Sequence, residues 1–133
     1  MFTEGNLQFF GFHVSFASLE FFSLWRGWVQ WRTCQDPVVS RVYGAGFLSY
    51  FLAIFVWTID LNFCWVLDEW LPAHGIPNPQ LHAAWHVLVS NGFARLLCCL
   101  AWRRARDLGH ARARITWRFG LLPTVEAGPE KAS

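Results

Sequence analysis

The stretch Gln80-Leu81-His82-Ala83-Ala84-Trp85-His86 opens an apolar segment that runs on to Trp102. Its length is that of a helix crossing a bilayer core, which needs about 20 mostly apolar residues. On a helix, imidazoles four residues apart stack on one face, one turn apart, where both can grip a single metal ion. Ionisable groups inside an apolar span cost free energy and mark functional interiors. His82 and His86 are therefore the first place to look for chemistry.

Two further segments of similar character precede this one, so the spans are expected at about residues 7–25, 42–67 and 81–102. Of the 133 residues, 54% are hydrophobic, with nine Trp and thirteen Phe, a composition too greasy for a small soluble fold. The expected fold is all-α: an integral membrane helical bundle of three transmembrane helices, a single membrane domain over 1–133, with a cytosolic tail at 103–133. Asp36-Pro37 and the Gly75, Pro77 and Pro79 cluster read as the connecting loops. A short greasy patch at 115–123 is placed at the membrane interface. The four cysteines show no C-x-x-C or zinc-ribbon spacing and receive no redox role. A net charge of +2 is too small to suggest nucleic acid. No positively charged stretch precedes the first apolar run, so a cleaved secretory signal is not expected.

Arginine placement orients the bundle, because short loops rich in Arg and Lys stay cytoplasmic. The first loop holds Arg26, Arg32 and Arg41, the second none, and the tail Arg103, Arg104, Arg106, Arg112, Arg114 and Arg118. The first loop and the tail are thus cytosolic, and the N-terminus and the Asp68 to Pro79 loop lie on the lumenal or extracellular side. A rise of about 1.5 Å per residue then assigns depths. His82 and His86 fall within two turns of the lumenal end of the third span. Asp60, near the top of the second, and His13, near the top of the first, reach the same level.

Each of these residues also has a plainer reading. An intramembrane histidine such as His13 commonly makes an interhelical hydrogen bond. Asp60 could accept hydrogen bonds at a helix end near the interface. Two His at helical spacing arise in many helices by chance. Glu20 and Arg95, deep in their spans, read as packing partners or a charge pair. His74 and His110 fall in a loop and the tail, where nothing argues for a function.

The order of motifs adds a resemblance. Phe55-Val56-Trp57-Thr58-Ile59-Asp60-Leu61-Asn62-Phe63-Cys64, then Gly75-Ile76, then Gln80 to His86, then Trp117-Arg118-Phe119-Gly120-Leu121-Leu122-Pro123 resemble the last part of the alkaline ceramidase (alkaline phytoceramidase) family. Those enzymes share a W-x-I-D-x-x-F-C segment, an H-x-x-W-H segment and an F-G-x-x-P tail. The likeness covers about 47–123 well and the first span loosely. It implies a seven-span hydrolase of the endoplasmic reticulum or Golgi membrane that cleaves the amide of ceramide to sphingoid base and fatty acid. It also implies zinc held by three His, two of them His82 and His86, with Asp60 in a supporting or proton-transfer role. In the family the third His, with a nearby Ser and Asp, comes from earlier helices. This chain matches only the last three spans, lacks those groups and the acidic N-terminal calcium site, and is expected to be truncated relative to the family. His13 is the candidate substitute ligand, and a partner chain could supply the missing helices.

Zinc with three protein ligands and an open position polarises a carbonyl and acidifies water, which suits amide hydrolysis. Two His alone hold catalytic zinc poorly, so turnover by the isolated chain is expected to be slow or absent unless His13 turns inward. The competing hypothesis is a non-catalytic membrane remnant that binds lipid or a partner chain. A haem-binding subunit is disfavoured, because two ligands one turn apart on one helix cannot reach opposite faces of a haem.

Overall fold

The structure, a computed structural model, describes residues 4–128. Met1–Gln35 forms one compact unit and Asp36–Ser133 a second. The first unit holds α1, a helix of 29 residues over Glu4–Arg32. No proline interrupts it, and two of its serines bond back to the helix's own carbonyls. The Ser18 hydroxyl donates to the Val14 carbonyl at 2.7 Å and the Ser23 hydroxyl to that of Leu19 at 2.8 Å. This back-bonding is how a hydroxyl tolerates apolar surroundings. Large apolar side chains project outward along its length, Phe10, Leu19 and Phe21 among them.

The second unit begins with α2, Pro37–Asn62. The Asp36-Pro37 pair, expected as loop, is instead a helix start. Asp36 Oδ1 accepts from the backbone N–H groups of Val38 at 2.9 Å and Val39 at 3.1 Å, and Pro37 takes the first helical position, where its missing N–H costs nothing. After α2 the chain turns through a π-helical turn, Val66–Trp70, and a short helix α3, Leu71–Ala73. It then enters α4, Leu81–Asp107. The first half of the expected Asp68 to Pro79 loop is thus helical, its Gly75, Pro77 and Pro79 part is non-helical as expected, and α4 runs five residues past the expected span end into the arginine-rich tail.

Among the described residues, α2 and α4 are the helices long and apolar enough to cross a membrane. This meets two of the three expected spans. Helix α1 is long enough, but Gln8, His13, Glu20 and three serines dilute its apolar character.

The all-α expectation needs a further correction, since β1, Arg114–Arg118, and β2, Leu122–Glu126, pair antiparallel with Ile115 opposite Val125 and Trp117 opposite Pro123. Phe119 and Gly120 both have positive φ, 54° and 70°, and the Leu121 N–H donates to the Arg118 carbonyl at 3.1 Å. Positive φ at both central residues defines the tight turn whose twist suits a hairpin. The 115–123 patch is therefore a hairpin, its exposed tip carrying Phe119 and Leu121. The hairpin packs on α4, and the Trp102 indole N–H donates to the Ala113 carbonyl at 2.9 Å.

The core lies between α2 and α4. Val39, Val42, Tyr43, Phe47, Tyr50 and Ala53 recur at the three- and four-residue spacing of one helical face, and Leu96, Cys98 and Cys99 answer from α4. Small residues let the two backbones meet: a Cβ on Gly92 would lie 3.1 Å from both the Gly46 carbonyl oxygen and the Tyr50 nitrogen. Those are backbone atoms that cannot step aside. Gly92→Val is therefore expected to destabilise the protein in detergent by about 1–3 kcal/mol through overpacking. Gly11→Ala in α1, where a Cβ meets nothing within 4 Å, should gain up to about 1 kcal/mol of helix propensity. Thermal unfolding of both variants checks the pair, and an undiminished Gly92→Val would contradict the close approach.

Candidate functional site

The site assembles where α2 ends and α4 begins. Asp60 sits in the last turn of α2, which closes through the Asn62 side chain donating to the Thr58 carbonyl at 2.7 Å and the Phe63 N–H donating to that of Ile59 at 2.9 Å. The connector is drawn back on itself by a 2.6 Å hydrogen bond from Asn78 Nδ2 to Asp68 Oδ1. Asn78 Oδ1 in turn accepts from the Gln80 backbone N–H at 2.7 Å. Gln80 takes a left-handed conformation, φ 54° and ψ 46°, and α4 starts at the next residue. His82 therefore stands in the first turn of α4 and His86 in the second.

This return brings Asp60 Oδ2 to 3.3 Å from His82 Nδ1, the proximity expected from their common depth. The Asp60 side chain is 25% exposed and that of His82 64%. The two imidazoles stack edge to face with ring centroids 4.9 Å apart. Trp85 lies 5.4 Å from His82 and 4.2 Å from His86, and Trp57 of α2 stands 6.5 Å from Trp85. A carboxylate that takes the Nδ1 hydrogen of a histidine fixes the ring's tautomer and leaves Nε2 to offer its lone pair.

Among the described residues no three His, Cys, Asp or Glu side chains converge around one point that could hold a metal ion. The donor set fits zinc in kind, two imidazoles with a carboxylate behind one of them, and falls one ligand short in number. His13 belongs to the other unit. There its Nδ1 pairs with the Phe9 carbonyl at 2.8 Å and its ring lies 4.0 Å from that of Phe9.

The profile of the ceramidase family, described as Ceramidase, matches residues 5–126. The chain belongs to the ceramidase family. The match takes in α1 as well as the two membrane-length helices and the hairpin, and so extends well beyond the residues 47–123 in which the family motifs are readable. The W-x-I-D segment of this ceramidase-family chain forms the end of α2, the H-x-x-W-H segment the start of α4, and the F-G-x-x-P segment the hairpin turn and the start of β2. No curated protein and no solved structure matches the chain.

Sequence reasoning missed a second polar line between the helices. The buried Ser49 hydroxyl donates to the Leu88 carbonyl at 2.8 Å, Asn91 Nδ2 donates to Ser49 Oγ at 2.9 Å, and Arg95 Nε donates to Asn91 Oδ1 at 3.1 Å. The signal was present in the recurrence of Asn91 and Arg95 one turn apart in an apolar span. The partners expected for Arg95 were packing contacts or an acid; it meets an amide and, at 5.4 Å, the Trp117 ring.

The left-handed residue that launches α4 gives a test of how the site is positioned. A non-glycine residue there stores about 1–3 kcal/mol, and a β-branched one suffers most. Gln80→Gly is expected to match or exceed wild-type stability and Gln80→Val to fall below it, as read from thermal unfolding. Equal stability of the two variants would show that α4 does not start through this conformation.

Proposed function

We propose that this ceramidase-family chain acts as a zinc-dependent amide hydrolase on ceramide, releasing sphingoid base and fatty acid. His82 and His86 would hold the zinc, and Asp60 would orient His82. The observation that carries this reading is the meeting of Asp60 with His82, one turn before His86, in a chain of this family. Zinc, when bound, supplies a Lewis acid for the amide carbonyl and acidifies water to near neutral pH.

The chain's own residues do the rest. Asp60 holds the His82 ring through Nδ1, which leaves Nε2 to offer its lone pair. Trp85 lies against both rings and Trp57 stands behind it, so that one side of the histidine pair is apolar. Exposed apolar side chains on α2 and α4, including Leu48, Phe55 and Val87, give the acyl chains of a lipid substrate a surface to lie along. We assign the protein to the endoplasmic reticulum or Golgi membrane, with α1 as a third span and the hairpin cytosolic. A second reading, a non-catalytic lipid- or partner-binding remnant, is favoured by the shortfall of one donor among the described residues.

Release of sphingoid base from a fluorescent ceramide by the full chain, in detergent with added zinc, separates the two. Weak turnover is expected, abolished in His82→Ala and His86→Ala; loss in His13→Ala as well would assign the third ligand to α1. Turnover that survives in the His82 and His86 variants would overturn the proposal, and no turnover together with no bound zinc would establish the remnant. Asp60→Asn is expected to weaken zinc binding about 10–100-fold, the usual effect of losing a carboxylate behind a histidine ligand.

Native cysteines test the topology. Cys34 precedes α2 and the exposed Cys64 follows it, whereas Cys98 and Cys99 are buried. In sealed vesicles an impermeant maleimide should reach Cys64 from the lumenal side and Cys34 only from the cytosolic side. Labelling of both from one side would contradict a membrane-crossing α2.

A further inference from the structure

The end of the α2–α4 pair remote from the histidines holds a cavity of about 280 Å3 lined by Val38, Arg41, Val42, Ala45, Arg95 and Trp117. Two of its six lining residues are arginines, and no acid lines it. Like charges facing one space repel, and an anion between them relieves that repulsion. The cavity opens beside the first turns of α2, whose N-terminal dipole adds to the positive field.

Arg95 is prepared for such a ligand. Its Nε is tied to Asn91, which is tied to Ser49, and its guanidinium lies over the Trp117 ring. Those contacts fix the plane of the group and leave both terminal nitrogens without a hydrogen bond to any described residue. Arg41 is exposed, on the second turn of α2, with no hydrogen-bond or ion-pair partner among the described residues. A planar guanidinium with two terminal nitrogens free is the group that grips phosphate in a bidentate fashion. Val38, Val42 and Ala45 make the remaining wall apolar, which suits a ligand whose phosphate continues into hydrocarbon.

We propose that Arg41 and Arg95 form a phosphate-binding site, separate from the histidine site, that takes a phosphate monoester. The apolar wall favours the headgroup of a phosphatidic acid over soluble phosphate. Asn91 and Ser49 position Arg95 and do not touch the ligand. The site does not depend on the hydrolase reading, because none of its residues belongs to the Asp60, His82 and His86 cluster.

Native mass spectrometry of the full chain, released from mixed micelles, tests this with phosphatidic acid, diacylglycerol and inorganic phosphate as probes. Phosphatidic acid should stay bound while diacylglycerol, which differs only in lacking the phosphate, should not. Arg41→Gln and Arg95→Gln should each weaken retention on the order of tenfold, the effect of losing one charge-assisted contact. Arg112→Gln, which lines a different cavity beside Glu126, should leave it unchanged. Arg95→Lys should retain more than Arg95→Gln. Inorganic phosphate that binds and competes fully would support the phosphate site and name the soluble source. Equal retention of diacylglycerol, or phosphatidic acid binding that is unchanged in Arg41→Gln, would overturn the proposal; Arg41 is exposed and makes no hydrogen bond or ion pair with a described residue, so that variant is expected to fold.

Discussion

The close approach of α2 and α4 at Gly46 and Gly92 is the contact on which the rest of the larger unit depends. With no side chain on Gly92, the Gly46 carbonyl and the Tyr50 backbone come within van der Waals reach of α4. In lipid, where apolar side chains gain little by leaving one hydrocarbon for another, such backbone proximity and the hydrogen bonds it permits drive association. The Ser49, Asn91 and Arg95 line forms immediately beside the crossing, and Ser49 closes it on the Leu88 carbonyl. Removing the crossing would free both ends of the pair.

Those two ends carry different chemistry. Toward the connector, Asp60 and His82 meet because α2 stops at Asn62 and α4 starts within a turn of the Asp68 to Asn78 clasp. The opposite end places Arg41 and Arg95 around one cavity. A helical hairpin with fixed crossing geometry thus serves as a rigid ruler: the polar groups at either end are held by the same packed core of Val39, Val42, Tyr43, Phe47 and Tyr50. The histidine site is open, with the His82 side chain mostly exposed.

Much of this was legible in the sequence. Apolar runs of bilayer length located all three long helices, of which α2 and α4 are long and apolar enough to cross a membrane. The rise per residue was enough to bring Asp60 and His82 to one level. Other features were not legible, for physical reasons. Asp36-Pro37 reads equally as a turn and as a cap with proline at the first helical position, and only the two hydrogen bonds to Asp36 decide between them. The π-helical turn at Val66–Trp70 leaves no periodic signature in five residues. The hairpin was hidden because Ile115, Trp117, Leu121 and Leu122 read as a greasy patch, while its turn relies on positive φ at Phe119, a residue that seldom adopts it. Nor could an all-round apolar helix say which face is inward. In α2 that face includes Tyr43, Ser49 and Tyr50, the polar side of a span that elsewhere shows hydrocarbon to its surroundings.

The central claim is that His82 and His86 hold zinc with Asp60 behind His82. X-ray absorption at the zinc edge of the metal-loaded full chain measures that most directly, because imidazole ligands leave a distinct outer-shell scattering pattern. The account predicts zinc with at least two imidazole neighbours at about 2.0–2.1 Å, one fewer in His82→Ala, and an altered ring orientation but unchanged count in Asp60→Asn. A spectrum without imidazole scattering, or one identical in wild type and His82→Ala, would contradict it.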